Sequence, residues 1–260
     1  MERSQKHEAG FTVSLRERGN MDKIALIADI HGNLPALKAV QADIQERGAD
    51  KIYCLGDMSG RGPSGAAVLD WCRENCEVIL LGNWEDFYIR YPENPKAKRY
   101  LSELGRERFE YMHSLPFTKS FWMSGRRVQL FHGRPIHPKL VFEDSTDEEK
   151  LEMFSSVKDD IKPDVVGFAD IHRQYQTDFA LDTRLLFNTG SVGHSYSAAD
   201  AKYVIINGFT DALEASAFST ELISVPYDVE EAVHIALAAG SWYDSREFVK
   251  DITRGIAGCG

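Results

Sequence analysis

Side chains that can bind a metal ion recur at the ends of apolar segments along this chain. Five such segments are followed, in chain order, by Asp29 and His31, Asp57, Asn83, His132, and Asp170 and His172. Carboxylate, amide and imidazole groups are common ligands of divalent metal ions. Each short motif alone is ordinary turn chemistry, because Gly, Asp and Asn are frequent loop residues. Five of them in succession favour a metal site assembled from several loops.

The elements that must position these groups alternate between strands and helices. We predict buried strands over residues 23–28, 51–55 and 77–81, each followed by helical sequence. Pro35 and Gly48 suit the beginning and the end of the first helix. Strands joined by helices form a parallel sheet, and the residues that follow its strands meet at one edge.

The rest of the chain predicts further helices and a change to antiparallel strands. The predicted helices cover residues 66–75, 84–115 with a break at 91–95, 146–160, 229–239 and 242–255. Strands are predicted over residues 126–131, 164–168, 175–181, 184–188, 202–207 and 212–219. The third and fourth of these flank Asp182-Thr183, and the last two flank Asn207-Gly208, as in hairpins.

The composition is that of a folded, acidic protein. Of 260 residues, 43 % are hydrophobic, and 40 acidic against 30 basic residues give a net charge of -10. An acidic surface argues against non-specific nucleic-acid binding, but bound metal ions would still attract a small phosphorylated substrate. No apolar run reaches the roughly 18–20 residues of a membrane helix, so we expect no membrane partner. Residues 1–20 are expected to form a flexible tail before a single domain over 21–260.

The cysteines do not form a recognisable pattern. Cys54, Cys72, Cys76 and Cys259 lack the spacing of a disulfide framework or of a cysteine metal site. We therefore expect reduced thiols and a cytoplasmic location. The sequence leaves homo-oligomerisation open.

The ordered motifs resemble those of the calcineurin-like metallophosphoesterases, most closely the small prokaryotic phosphoesterases. The resemblance rests on DIHGN (29–33), GD (56–57), GNWE (82–85), HG (132–133), IHRQ (171–174), FNTGSVG (187–193) and PYDVEEA (226–232). It extends from about residue 21 into the C-terminal helices. It implies an α/β fold in which a two-sheet β-sandwich is flanked by helices, giving four layers in the order α/β/β/α.

The resemblance also implies a dinuclear metal centre and its ligands. One ion would be held by Asp29, His31 and His172, the other by Asn83 and His132, with Asp57 bridging both. The implied reaction is hydrolysis of phosphomonoesters or phosphodiesters by in-line attack of a metal-bound hydroxide. The implied substrate is a small phosphorylated molecule.

Two positions depart from the family pattern. Trp84 stands where the family usually has a histidine that assists the leaving group, and indole is no acid near neutral pH. Asp170 replaces a metal-binding histidine, giving three carboxylates with Asp29 and Asp57. That set favours Mn²⁺, with Fe, Zn, Ni and Mg as alternatives. The departures support a second hypothesis, in which a relative with attenuated catalysis binds metal and a phosphorylated ligand.

Several basic residues are candidates for binding the substrate phosphate. Arg61 lies in GDMSGRG, which resembles the GDxxDRG segment of the protein-phosphatase branch with Gly60 in place of its Asp. That resemblance implies a bidentate contact between Arg61 and phosphate. Arg134 and Arg173 follow ligand motifs and could also reach it, or could pair with surface acids.

The residue that protonates the leaving group is left open. His194 follows the 187–193 motif and is our candidate catalytic acid, with a solvated loop histidine as the alternative. Glu85 and His137 are further candidates for that role. Trp84 could either pack in the core or contact an aromatic leaving group of the substrate.

Overall fold

The computed structural model describes residues 20–179, 183–196, 199–240 and 245–254, and places their strands in two five-stranded sheets. The first sheet, in the order β10-β9-β1-β2-β3, comprises β1 (Asp22–Ile27), β2 (Lys51–Cys54), β3 (Val78–Ile79), β9 (Asp200–Gly208) and β10 (Ser219–Pro226). The second, in the order β4-β5-β6-β8-β7, comprises β4 (Thr118–Met123), β5 (Arg126–Phe131), β6 (Val165–Phe168), β7 (Tyr175–Phe179) and β8 (Arg184–Asn188). Strands β1, β2 and β3 are parallel, as predicted.

Helices cover the outer faces of both sheets. They are α1 (Leu34–Glu46), α2 (Gly65–Asn75), α3 (Asn83–Arg90), α4 (Pro95–Met112), α5 (Asp147–Glu152), α6 (Val229–Ala238) and α7 (Ser245–Ile252). The side chain of Asn33 accepts a hydrogen bond from the Ala36 amide and caps α1, with Pro35 in the first turn. Thr146 and Glu149 form a capping box at the start of α5.

Side-chain alternation along β1 separates two apolar cores. Ile24 and Leu26 pack between the two sheets, whereas Ala25 and Ile27 pack against the helices that cover the first sheet. A third cluster lies on the outer face of the second sheet, where Phe154 follows α5 in a short 3₁₀ turn. The result is the predicted four-layer order of helices, two sheets and helix.

The middle of the chain follows the prediction closely. The expected break in the 84–115 helical region separates α3 from α4, and β7 and β8 form the predicted antiparallel hairpin. The predicted helix over 146–160 is shorter than expected, because α5 and its 3₁₀ turn end at Ser155.

Two predictions about strands were wrong. The segment 212–219 is a connection, and β10 begins only at Ser219. Strand β9 continues through Gly208, where a Cβ atom would lie 2.8 Å from the side chains of both Met123 and Ser124. Gly208 therefore lets the two sheets approach each other and does not form a turn. Strand β4 was not predicted; it joins β5 through Ser124-Gly125, whose φ angles of 53° and 78° suit a tight hairpin.

Some predictions concern segments that the structure describes only in part or not at all. The predicted tail (except Asn20), the end of the predicted 175–181 strand with Asp182 of the turn after it, part of the 242–255 helix and Cys259 lie outside the described residues. The single domain over 21–260 stays a prediction. Cys54, Cys72 and Cys76 are free thiols. In the part of the chain that the structure describes, no helix has both the length and the apolar character to cross a membrane.

Candidate metal centre

The loops that follow β1 and β2 are locked together by their backbones. The amides of Asp29 and His31 donate hydrogen bonds to the carbonyls of Gly56 and Asp57, both at 3.0 Å. The loop of residues 191–193 joins them, since the Gly193 amide and the Ser191 hydroxyl both donate to the Asp29 carbonyl. Three loops are thus held at the carboxyl edge of the first sheet.

Unusual backbone conformations are concentrated in the loops that carry the candidate site residues after β1, β2 and β6. Six candidate site residues have positive φ angles: Asp29 (52°), His31 (48°), Asp57 (54°), Arg61 (65°), Asp170 (70°) and His172 (57°). Non-glycine residues rarely adopt this region, and the cost of order 1–3 kcal/mol each is tolerated mainly at functional sites.

Two overlapping clusters of buried ligand atoms lie at this edge. In the first, Oδ1 of Asp29 is 3.2 Å from Nε2 of His172 and 3.7 Å from Nε2 of His31. In the second, Nε2 of His132 is 3.4 Å from Oδ2 of Asp57 and 3.7 Å from the same Asp29 oxygen. All five residues are at most 4 % exposed.

Asn83 completes the ligand set that the sequence predicted for the second ion. Its Oδ1 lies 3.0 Å from Nε2 of His132. Asn83 is the first residue of α3, so the beginning of that helix carries the amide into the site.

Hydrogen bonds fix the orientation of the three histidine rings. Nδ1 of His31, His132 and His172 lies 3.3, 3.0 and 2.8 Å from the backbone carbonyls of Ser59, Leu55 and His194. A carbonyl only accepts, so each Nδ1 carries the proton, and in the neutral ring Nε2 has a lone pair. These lone pairs face one another and the carboxylate oxygens of Asp29 and Asp57, an arrangement that a cation between them would stabilise.

The electrostatics of the site indicate missing positive charge. Oδ1 of Asp29 is buried without a hydrogen-bond partner. Burial raises the pKa of Asp57, and burial together with the Asp57 charge raises the pKa of Glu85 to about 7. Burial opposes charge on His132, but Asp57 and Asp29 outweigh it and raise its pKa well above the ordinary value. Without another cation, a proton therefore occupies the His132 Nε2 lone pair that a metal ion would take. The residues therefore fit a metal centre.

Glu85 has a structural role that sequence reasoning missed. Its carboxylate accepts hydrogen bonds from the amides of Asp57 (2.9 Å), Met58 (3.0 Å), Ser59 (3.4 Å) and Gly82 (3.1 Å). Glu85 therefore holds the loop after β2 against the beginning of α3, and this geometry does not support its role as an acid. Its position three residues after the N-cap is capping-box spacing, which could have indicated this role.

Trp84, which departs from the family pattern, packs against Gly60, which stands in place of the Asp of the protein-phosphatase branch. A Cβ atom at position 60 would lie 2.4 Å from Cε3 of Trp84, so an Asp there could not coexist with this ring. The indole is half-buried and packs edge-on against Tyr100 and His31. Nζ of Lys96 lies 4.6 Å from its ring centre.

Asp170 belongs to neither ligand cluster, although its backbone amide donates to Oδ2 of Asp29 at 3.1 Å. Its two carboxylate oxygens accept hydrogen bonds from Nε (2.7 Å) and Nη2 (2.5 Å) of Arg134, and the Arg134 amide donates to it as well. This ion pair, after the opposing effect of burial, lowers the pKa of Asp170. Asp170 as a third carboxylate ligand stays a prediction, which the pairing with Arg134 does not support.

A cleft of about 280 Å³ opens above the ligands. Its walls include Asp57, Arg61, Asn83, Trp84, Arg134, Asp170, His172 and Arg173. The structure thus brings the predicted phosphate-binding residues Arg61 and Arg134 together with Trp84 and four predicted ligands, Asp57, Asn83, Asp170 and His172. His137 is not among the residues that line this cleft, and its Nδ1 lies 2.8 Å from the Ser156 hydroxyl.

His194 is buried behind His172 and does not line the cleft. Its ring is 1 % exposed, so the alternative of a solvated loop histidine was wrong. Burial, followed by the charge of His172, lowers the pKa of His194 to about 2, which keeps the ring neutral. Its assignment as a catalytic acid stays a prediction, and the geometry places it beside the predicted ligand His172 and outside the cleft.

Similarity to known proteins agrees with this geometry. The chain matches the calcineurin-like phosphoesterase family over residues 22–190. It is 27 % identical over 238 residues to the uncharacterized protein MJ0912 of Methanocaldococcus jannaschii, covering 80 % of this chain and 89 % of that protein. Its fold is similar to that of a metallophosphoesterase from Sphaerobacter thermophilus, with a TM-score of 0.71 and 21 % identity over 91 % of this chain and all of that one. The hypothetical protein PH1004 from Pyrococcus horikoshii is comparable, with a TM-score of 0.68 and 20 % identity over 89 % of this chain and 98 % of that one. The chain therefore belongs to the calcineurin-like phosphoesterase family.

Proposed function

We propose that this protein is a metal-dependent hydrolase of small phosphomonoesters or phosphodiesters that uses two divalent ions. The observation that carries this proposal is the convergence of three histidine Nε2 lone pairs on the unpartnered buried oxygen of Asp29, at the base of a cleft lined by arginines. Family membership supports phosphoester hydrolysis as the reaction class.

The proposed ligand sets are those that the family resemblance implied, without Asp170, whose two oxygens are paired with Arg134. Asp29, His31 and His172 would hold one ion, Asn83 and His132 the other, and Asp57 would bridge them. When bound, the ions would polarise the phosphate oxygens and lower the pKa of a water molecule for in-line attack. The mixed carboxylate and imidazole set suits Mn²⁺, with Fe, Zn, Ni and Mg as alternatives.

The protein's own residues would bind and orient the substrate. The Arg61 and Arg134 side chains line the cleft and can pair with phosphate oxygens as charge-assisted donors. Glu85 holds the Asp57 loop in register, and the Trp84 amide donates to Oδ1 of Asp57 at 2.9 Å. Both contacts fix the carboxylate that would bridge the ions.

The walls of the cleft favour substrates with good leaving groups. Its described lining residues include one histidine, His172, which is itself a proposed ligand. Without a general acid the rate falls by roughly 10²–10⁴, a loss that is smallest for leaving groups that depart as stable anions. We propose aryl or nucleotide leaving groups over simple alcohols.

The second candidate function is binding without efficient hydrolysis. It is favoured by one observation: Trp84 and Asp170, which replace histidines that the family usually carries, both line the cleft, and neither side chain is a general acid near neutral pH. In that case the same centre would bind metal and a phosphorylated ligand, and turnover would be weak.

An assay with two chromogenic esters tests the proposal. Metal-free protein reconstituted with Mn²⁺ should hydrolyse p-nitrophenyl phosphate or bis(p-nitrophenyl) phosphate, and a chelator should abolish the rate. Asp57→Asn should abolish it as well, whereas Asp159→Asn, on a surface ion pair with Arg127, should not. Folded protein that binds its ions and turns over neither ester would favour the binding function.

We also propose a small substrate and a cytoplasmic location. The net charge of -10 favours a small phosphorylated substrate over a nucleic-acid polymer. The free thiols Cys54, Cys72 and Cys76 favour a cytoplasmic location.

A further inference from the structure

His172 differs from the other two histidines of the centre in what holds its ring. Nδ1 of His31 and of His132 faces a carbonyl of the segment that follows β2. Nδ1 of His172 faces two atoms of His194, the carbonyl oxygen at 2.8 Å and the ring atom Nδ1 at 3.0 Å. Both rings are buried, so their protein neighbours, and not solvent, determine which ring nitrogens carry protons.

The proton positions on these two rings follow from their partners. The His172 Nδ1 carries the proton, because its nearest partner is a carbonyl. Nδ1 of His194, 3.0 Å away, must then lack a proton and accept. The proton of a neutral His194 ring therefore sits on Nε2, which lies 2.8 Å from Oδ2 of Asp251 and donates to it.

Asp251 is held in place by the helix that carries it. Its neighbours Phe248 and Ile252 on α7 are 1 % and 2 % exposed and belong to the core that covers the first sheet. The other carboxylate contacts are Arg254 at 2.9 Å and Nη1 of Arg61 at 3.9 Å. One carboxylate thus touches both the support of a metal ligand and a predicted phosphate-binding arginine.

We propose that Asp251 is a positioning residue of the metal centre. It fixes the proton of His194 on Nε2, and the unprotonated Nδ1 of His194 then holds His172 with its Nε2 toward Asp29. Without this acceptor, His194 can place its proton on Nδ1, where it would oppose the Nδ1 proton of His172 and turn that ring away. The inference rests on the metal centre of the proposed function and does not require hydrolysis. Asp251 lies beyond the residues that match the family, so the sequence motifs do not indicate it.

Two substitutions of similar volume separate the effect of the Asp251 hydrogen-bond acceptor from the effect of its side-chain shape. Asp251→Asn keeps an oxygen that can accept from Nε2, whereas Asp251→Leu has similar volume and no acceptor. Long-range ¹H–¹⁵N correlation spectra of metal-free protein should show the Nε2 proton on His194 in the wild type and in Asp251→Asn. In Asp251→Leu we expect a mixture of His194 rings with the proton on Nδ1 and rings with the proton on Nε2. Arg254→Ala, which removes only an exposed partner of Asp251, should leave the spectrum unchanged.

Mn²⁺ titration of the same variants gives a second readout. Loss of a hydrogen-bond partner behind a metal ligand weakens metal affinity by about 10–100-fold, the effect that we expect for Asp251→Leu. Asp251→Asn and Arg254→Ala should bind Mn²⁺ nearly as the wild type does.

Three results would overturn the proposal. The first is a wild-type protein in which the His194 proton lies on Nδ1. The others are an Asp251→Leu variant that keeps this proton on Nε2 alone, and an Asp251→Leu variant whose Mn²⁺ affinity is unchanged. If Asp251→Leu does not fold, the wild-type and Asp251→Asn spectra still decide the first point. The expected spectra and affinities without turnover of any ester would refute the proposed hydrolysis and leave the role of Asp251 standing.

Discussion

The contact between Gly60 and Trp84 makes a quantitative prediction about stability. The backbone at Gly60 has a φ angle of 89°, and a Cβ atom there would lie 2.4 Å from Cε3 of Trp84. An L side chain in this backbone region costs roughly 1–2 kcal/mol, and forcing an extra methyl into a packed site costs about 1–3 kcal/mol more. We therefore expect Gly60→Ala to lower the free energy of unfolding by about 2–5 kcal/mol.

A double-mutant cycle separates the two contributions. In a Trp84→Ala background the steric overlap is gone, so Gly60→Ala should cost only the backbone strain, about 1–2 kcal/mol. The coupling free energy between the two positions should then be about 1–3 kcal/mol. Gly48→Ala is the matched control, because Gly48 has a φ of 63° and no heavy atom within 4 Å of its added Cβ.

Urea unfolding of the metal-free variants, followed by circular dichroism, measures these differences without a contribution from metal binding. The reasoning is refuted if the two substitutions are additive within about 0.5 kcal/mol. It is also refuted if Gly60→Ala costs no more than Gly48→Ala. Either result would mean that packing against Trp84 does not require glycine at position 60.

Three further predictions concern single side chains. Glu85→Gln replaces an acceptor by an NH₂ group against backbone amides, and should destabilise the protein by about 1–3 kcal/mol in urea unfolding; equal stability would contradict its role as a clamp. Asp170→Asn should raise KM for p-nitrophenyl phosphate through a less ordered Arg134 while leaving Mn²⁺ stoichiometry unchanged, and loss of an ion would instead identify Asp170 as a ligand. Trp84→His should raise the rate on alkyl phosphates relative to aryl phosphates if the missing acid limits turnover, and an unchanged ratio of the two rates would argue against that.

Much of the fold could be predicted because its signals are local. The parallel strands β1 and β2 are short apolar runs bounded by polar turns, and Pro35 marks the first helix. The hairpin of β7 and β8 also has local turn residues. These features depend on nearby residues, and periodicity is enough to find them.

The errors arose where contacts distant in sequence determine the local structure. Asn207-Gly208 has the sequence of a turn, yet Gly208 is needed because Met123, far away in the chain, packs against it. The alternating buried residues Ile223 and Val225 carried the signal for β10, which the turn interpretation obscured. Strand β4 was also missed, although Phe121 and Met123 alternate along it and are buried in the core between the two sheets.

In the candidate site, too, some features could be predicted from local sequence and others depend on contacts distant in the chain. The residues that follow strands could be found, because the strand ends of a parallel sheet converge on one edge. The roles of the residues that support these ligands could not be predicted from the sequence. Glu85 acts through four backbone amides, and Asp251 lies on a helix whose packing brings it to His194. For Asp170 the motif favours a metal ligand, whereas the structure shows that Arg134 binds both of its carboxylate oxygens, a contact that the sequence did not indicate.

Metal titration tests the central claim most directly. Isothermal titration of the metal-free protein with Mn²⁺, with metal content measured after dialysis, should give about two ions per chain, as a two-metal site requires. Asp29→Asn should lose both ions or bind them far more weakly, because Oδ1 of Asp29 belongs to both ligand clusters, whereas Asp159→Asn should match the wild type. Folded wild-type protein that binds no divalent ion, or an Asp29→Asn variant with wild-type stoichiometry and affinity, would contradict the account.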